Sequence, residues 1–262
     1  MWPFPPFNPP LRDWRGRSVW LVGASSGIGA ALALALSARG ARVTISARRE
    51  AALQEVAEQA QSPMRVLALD ATDAQAVAQA AAQVQAEQGL DVVVYAAGHY
   101  QAQRAPDIDL VECERHWRIN VWGAQALGAA VLPVLMAQGH GHWSVVSSVA
   151  GHRGLPRALA YGSSKAALTH WMEALVFDLR PRGVGLSVVH PGFVRTPMTA
   201  VNDFEMPALI SPEEAAQAIL RDWARGCFDV HFPKRFTWVI KALSHLPDRS
   251  YFYLVKKTTD RP

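Results

Sequence analysis

The sequence predicts an α/β protein, a doubly wound parallel β-sheet with helices on both faces. Short apolar, β-branched runs recur along the chain, separated by Ala- and Leu-rich stretches of helical length. Such alternation builds strand–helix–strand units around a parallel sheet. Half of the residues are apolar, and 262 residues suit one large domain with a substantial core.

The first run, SVWLV (18–22), has the composition of a buried strand and leads through glycines into an Ala/Leu helix over 29–39. RVTIS (42–46) and RVLAL (65–69) follow, with helical patterns at 50–60 and 73–88. DVVVY (91–95), WSVVS (143–147) and GLSVV (185–189) complete six expected strands. The apolar stretch 123–139 contains Gln125, Pro133 and Gln138, so it reads as a buried helix and not a membrane span. The expected organisation is an N-terminal arm (1–15, five prolines in the first ten residues), one domain over 16–228, and a C-terminal helical tail over 229–262.

Cys113 and Cys227 are too few for a disulfide framework, which points to a reducing compartment. The arm has no cationic leader of the secretory type, so a soluble, cytoplasmic protein is expected. Residues 1–228 hold 19 Lys/Arg and 19 Asp/Glu, so the net charge of +4 sits wholly in the tail. A body without a basic stripe argues against nucleic-acid binding.

In doubly wound sheets, ligands bind beyond the carboxyl ends of the strands. The first such loop holds Gly23, Gly27 and Gly29 and opens a helix. Glycines there admit a pyrophosphate close to the backbone, and the helix N-terminus offers free N–H groups. No Lys-Ser/Thr follows Gly29, so a P-loop is excluded. Further along, Tyr161 and Lys165 lie four apart at the start of a helical stretch and share one face. A phenol has a pKa of about 10, and a neighbouring ammonium favours phenolate, moving it toward the working range.

The glycine turn, the serines at 147–148, YxxxK and PGFVRT (191–196) occur in order at strand ends. Together they resemble the short-chain dehydrogenase/reductase family, over residues 17–225 or so. The resemblance implies a Rossmann-like fold and explains the glycine spacing, since the family's motif is TGxxxGxG; Val22 stands where the family has Thr. It implies Tyr161 as the catalytic acid/base, with Lys165 lowering its pKa and binding the nicotinamide ribose. It implies Ser148 as holder of the substrate oxygen, with Ser147 structural, and Asn120 as support for a proton-relay water. The cofactor-binding residues it implies are Gly23, Ser25, Ser26, Gly27, Ile28 and Gly29, then Asp70 and Ala71. Ala96, Ala97, Gly98, Tyr161, Lys165, Pro191, Gly192, Val194 and Thr196 complete the set. The family's NNAG is here Tyr95-Ala96-Ala97-Gly98, which removes two asparagines and the sheet hydrogen bonds they make.

Arg48 and Arg49 follow the second strand where an NAD enzyme carries an acid, which favours NADP(H) over NAD(H). A guanidinium there can pair with a 2′-phosphate through a charge-assisted fork. The expected activity is hydride transfer between nicotinamide and a carbonyl or secondary alcohol, with reduction of an apolar ketone or aldehyde foremost. An NAD-dependent alcohol dehydrogenase and a non-catalytic nucleotide sensor are the alternatives.

After PGFVRT, the segment 193–211 is an expected substrate lid, whose Met198, Phe204, Met206 and Leu209 read equally as pocket wall or sheet cover. His99 and His152 read as packing or surface residues, with pocket positions as the alternative. His140 and His142 lack a third ligand, so no metal is expected. In the tail, Phe236, Val239, Ile240, Leu243 and Leu246 form a helical stripe opposite Lys234, Lys241 and His245. Packing onto the domain or a subunit is the expectation, an interfacial membrane helix the alternative. Trp2, Phe4 and Phe7 could join either, and a homo-oligomer, dimer or tetramer, is expected.

Overall fold

The computed structural model describes residues 5–259. Seven parallel strands form one sheet in the order β3-β2-β1-β4-β5-β6-β7. They are β1 (Ser18–Val22), β2 (Arg42–Ala47), β3 (Arg65–Ala68), β4 (Val92–Tyr95), β5 (His142–Val146), β6 (Gly185–Pro191) and β7 (Asp229–Phe232). The helices are α1 (Gly27–Ser37), α2 (Glu50–Glu58), α3 (Ala74–Gln88), α4 (Leu110–His116), α5 (Gly123–Gln138), α6 (Leu159–Leu179), α7 (Pro212–Trp223), α8 (Lys234–Ser244) and α9 (Asp248–Thr259).

Alternate residues of the strands feed two cores. Val19, Leu21, Val43 and Ile45 face α1, α2 and α7, where Leu32, Leu53 and Ile219 meet them. Trp20, Val93, Trp143 and Val145 face α3, α5 and α6, against Val77, Leu127 and Leu168. A sheet buried on both faces explains why its strands read as unbroken apolar runs. The stretch Leu110–Gln138 is long and apolar enough to cross a membrane, but half of its most apolar window is buried in the body.

Six strands lie where the sequence pattern puts them, and the seventh lies inside the expected tail. β7 pairs with β6 from Val188↔Asp229 to Pro191↔Phe232, so the sheet runs past residue 228. Its four residues DVHF include two polar ones, too short and mixed a run to stand out as a strand.

The N-terminal arm is pinned to the body. Asn8 is buried and donates to the carbonyls of Leu186 and Cys227 at 2.8 and 3.1 Å. Phe7 packs on Phe228, while Trp2 and Phe4 lie outside the described residues.

Four members of the apolar stripe expected in the tail, Phe236, Ile240, Leu243 and Leu246, are half-buried as the stripe requires, and two positions depart from it. Val239 is 54% exposed, whereas Lys241 turns inward and ion-pairs with Asp229. The ion pair lies beside buried Thr237, whose hydroxyl meets His231 Nδ1 at 2.6 Å. Polar anchors thus join the apolar stripe on the packed side of this helix.

Candidate active site

The order of strands reverses between β1 and β4, and their carboxyl ends open a cleft. A turn with Gly23 at φ +94° links β1 to α1. A Cβ on Gly23 would lie 2.2 Å from the Ala97 nitrogen, and one on Gly29 would lie 2.2 Å from the Gly23 carbonyl. Only glycine fits either place. Ser26 caps α1 with extended backbone, its side chain makes no capping bond, and no acid occupies the first turn. The first N–H groups of α1 are therefore available to an anion, so this turn fits a dinucleotide pyrophosphate.

Every cofactor-binding residue named from the sequence lines this one cleft. Ser25, Ser26, Gly27 and Ile28 form its floor with Gly23 and Gly29, and Ala96, Ala97 and Gly98 close in from β4. Pro191, Gly192, Val194 and Thr196 cover it from β6. Arg48 and Arg49 stand exposed at the end of β2, on the rim. Asp70 and Ala71 lie after β3; burial opposes ionisation of Asp70, but bonds from Thr72 and the nearby Arg48 charge hold its carboxyl below the usual range.

Ser148, Tyr161 and Lys165 meet at the inner end of the cleft. Ser148 caps a short turn after β5 by accepting the Ala150 amide at 3.1 Å. Burial raises the Tyr161 phenol above its ordinary pKa, and a hydrogen bond with Ser148 pulls it back. Lys165 is 3% exposed, and its Nζ donates to the Val146 carbonyl at 2.8 Å, 5.8 Å from the Tyr161 ring centroid. Burial pushes this ammonium down to about 7. Burial thus sets the phenol above its ordinary value, contrary to the simple expectation of a lowered Tyr161. Ser147 is structural, bonded to the Lys165 carbonyl and Thr169 at 2.9 Å each.

Asn120 lies behind the cleft wall. Its Oδ1 accepts the His99 amide at 2.7 Å, and its Nδ2 donates to the His99 carbonyl and Ser164 Oγ at 3.0 and 2.9 Å. Both side-chain donors are used, so the residue braces the loop after β4 that carries Gly98. It sits in a widened turn, Trp117–Trp122, with π-helical bonding. Such a turn disturbs the carbonyls of a helix. The Tyr95 hydroxyl donates to one of them, Ile119, at 2.5 Å. Tyr95 is fully buried, and its hydroxyl fits only because residue 123 is glycine, where a Cβ would lie 2.2 Å away. The departure from NNAG therefore supplies a new tie where two asparagines were lost.

His99 lines the cleft, its Nε2 2.7 Å from Glu112 Oε2. That bond is the main reason the Glu112 carboxyl titrates below its ordinary value. His116 lies close by, and ligand atoms of these three residues fall within 4.8 Å of one another. Yet His116 Nδ1 faces the Glu112 carbonyl at 2.6 Å and Nε2 accepts the Gln101 amide at 3.1 Å. No lone pair is left on that ring for a metal. Tyr100 stands edge-on to Tyr161 at 5.0 Å between centroids, a contact that no motif signals.

His152 lies elsewhere, 4.4 Å from His190, and burial pushes it down to about 4. His142 is buried in β5 and bonded to Ser187, apart from exposed His140. Of the lid residues, Met198 lines the cleft, and Phe204 stands edge-on to Phe193 at 5.7 Å. Main-chain bonds between Arg195 and Ile210 and between Ile210 and Phe193 tie the lid's base.

Residues 17–206 match the family model for short chain dehydrogenase. The chain belongs to the short-chain dehydrogenase/reductase family. An uncharacterized oxidoreductase of Myxococcus xanthus is 37% identical over 236 residues, covering 88% of this chain and 93% of that protein. One from Staphylococcus epidermidis is 31% identical over 201 residues, 76% and 87% of the two chains. A short-chain dehydrogenase structure from Streptomyces avermitilis superposes with a TM-score of 0.76 at 25% identity, covering 94% of this chain and all of that one. A short-chain type dehydrogenase/reductase from Mycobacterium marinum gives 0.77 at 28% identity, over 84% and 94%. Oxidoreductase activity on a nicotinamide cofactor follows from membership, and the short-chain dehydrogenase/reductase cleft described above fits that group.

Proposed function

We propose that this short-chain dehydrogenase/reductase is NADP(H)-dependent and reduces an apolar ketone or aldehyde in the cytoplasm. The convergence of Ser148, Tyr161 and Lys165 at the inner end of the glycine-floored cleft carries the reading. When bound, the nicotinamide supplies hydride chemistry at a carbonyl carbon. Ser148 holds the substrate oxygen by hydrogen bond, and Tyr161 gives that oxygen its phenolic proton. Lys165, its ammonium held near 7 by burial, favours the resulting phenolate in its protonated form. Asn120 acts as a positioning residue, and any relay through it would use its main chain.

Arg48 and Arg49 support NADP(H), as exposed guanidinium groups on the rim with no acid in the position that selects NAD(H). Met198 at the cleft supports an apolar substrate. Exposed Leu110, Val111 and Phe177 on α4 and α6 support a homo-oligomer. The test is oxidation of NADPH and of NADH with ketones and aldehydes of increasing chain length. Turnover with NADPH that rises with apolar chain length is expected. A preference for NADH, or no turnover with either cofactor, would overturn the proposal.

A further inference from the structure

The C-terminal helices α8 and α9 are fixed on the body by one face. Tyr251 and Thr237 are buried there, and the Tyr251 hydroxyl donates to the Gly154 carbonyl at 2.8 Å. Arg153 lies over the Tyr251 ring at 4.0 Å and donates to the carbonyls of Ser244 and Leu246. The opposite face is unlike a solvated one. On α8 it presents Arg235, Trp238 and Val239, and on α9 Arg249, Phe252, Tyr253 and Lys257, at the i, i+3, i+4 spacing of a single face. Trp238, Phe252 and Tyr253 are 59%, 58% and 65% exposed.

Cations outnumber acids on the tail, and the exposed Asp248 side chain is tied to Arg153. Among the described residues the tail's acids are Asp229 and Asp248, and both are engaged. Asp229 binds Lys241 and His190, and Asp248 binds Arg153. Lys234, on the edge of α8, pairs with Asp222 of α7. The outer face therefore shows cations and aromatic rings, on a protein whose body is neutral.

We infer that the outer face of α8 and α9 docks on an anionic lipid surface. Trp and Tyr rings sit at headgroup depth, Phe252 and Val239 reach the acyl boundary, and Lys and Arg meet the lipid charge. A second copy of this chain is a poorer occupant, because isologous pairing sets these cations against one another. A nucleic acid could use the cations and rings but has no use for exposed Val239 and Leu254. The inner face of α8 reaches the lid. Phe236 of α8 packs 5.6 Å from Phe193, at the base of the lid.

The experiment is co-sedimentation of the full chain with vesicles of phosphatidylcholine alone and of phosphatidylcholine with phosphatidylserine, at low and high salt. Binding to the anionic vesicles that weakens with salt is expected. The variant Arg235→Gln/Arg249→Gln/Lys257→Gln should lose about fivefold in partitioning for each cation removed, roughly 100-fold in all. Trp238→Ser/Phe252→Ser should also lose binding, with unchanged cofactor affinity. Equal sedimentation with both vesicle types, or none, overturns the inference whether or not a variant folds. So does a change in light-scattering mass on Trp238→Ser/Phe252→Ser, which would identify a second copy as the occupant. Competition from a single-stranded oligonucleotide that the chain binds more tightly than the anionic vesicles would also count against it.

Discussion

Lys165 Nζ donates to the carbonyl of Val146, the last residue of β5, at 2.8 Å. The bond ties the helix that carries Tyr161 to the strand that leads to Ser148, and it holds the lysine where burial lowers its pKa to about 7. An unfolded chain keeps this proton up to about 10.4. Between those values the unfolded state binds more protons, so stability rises with pH through this window and the penalty is complete below it. We expect the stability of the wild type relative to Lys165→Met to climb by up to about 1.4 kcal/mol per pH unit from pH 7 to 10. Denaturant melts of both proteins across that range provide the measurement, and parallel curves would contradict the buried lysine.

Tyr161→Phe removes the proposed proton donor and leaves the glycine turn untouched. Turnover should fall roughly 10²–10⁴-fold, with NADPH affinity nearly unchanged. Steady-state kinetics with a responsive ketone, beside a fluorescence titration of NADPH, separates the two effects. Activity within about threefold of wild type would assign the proton to another group.

Arg48→Ala tests the cofactor. A charge-assisted hydrogen bond contributes about 1.5–3 kcal/mol, and each 1.4 kcal/mol is tenfold in affinity. NADPH should bind roughly 10- to 150-fold more weakly, with NADH scarcely affected. Equal losses for both would make Arg48 a structural residue and remove the main support for NADP(H).

Tyr95→Phe strands the Ile119 carbonyl in the widened turn. Leaving a buried acceptor unsatisfied costs about 1–3 kcal/mol, and the displaced turn should reduce kcat more than cofactor affinity. Gly123→Ala should be costlier in the wild type than in Tyr95→Phe, because the new methyl meets the hydroxyl first. Melting curves of the four proteins in this cycle give the coupling. Simple additivity would show that hydroxyl and glycine do not depend on each other.

The sequence made the sheet legible wherever burial on both faces left a run such as VVVY or SVVS with no competing pattern. It made the cleft legible because the glycine turn, the serines and YxxxK are short-range signals whose spacing is itself the geometry. β7 stayed hidden, since a four-residue strand with His231 in it carries too little periodicity. The stripe of α8 was legible at Phe236, Ile240, Leu243 and Leu246, but Lys241 was placed opposite it, because Asp229, a partner twelve residues away that apolar spacing cannot reveal, holds it inward. The Tyr95–Ile119 tie was also out of reach, although Gly123 carried its trace. Asn120 was identified as a residue of interest, but its bracing of His99 needed the fold that brings 21 residues of separation to 2.7 Å.

The contact between Gly23 and Ala97 bears on how such a protein can change over generations. Its glycine turn is welded into the interior, with no room for a single added carbon at Gly23 or Gly29. Arg48 and Arg49 stand outside that weld, exposed at the end of a strand. Drift at the two arginines leaves the folded body alone, whereas drift at the two glycines breaks it. A lineage built on this frame is free to exchange the two arginines in a few steps, whereas the two glycines have no replacement that keeps the frame.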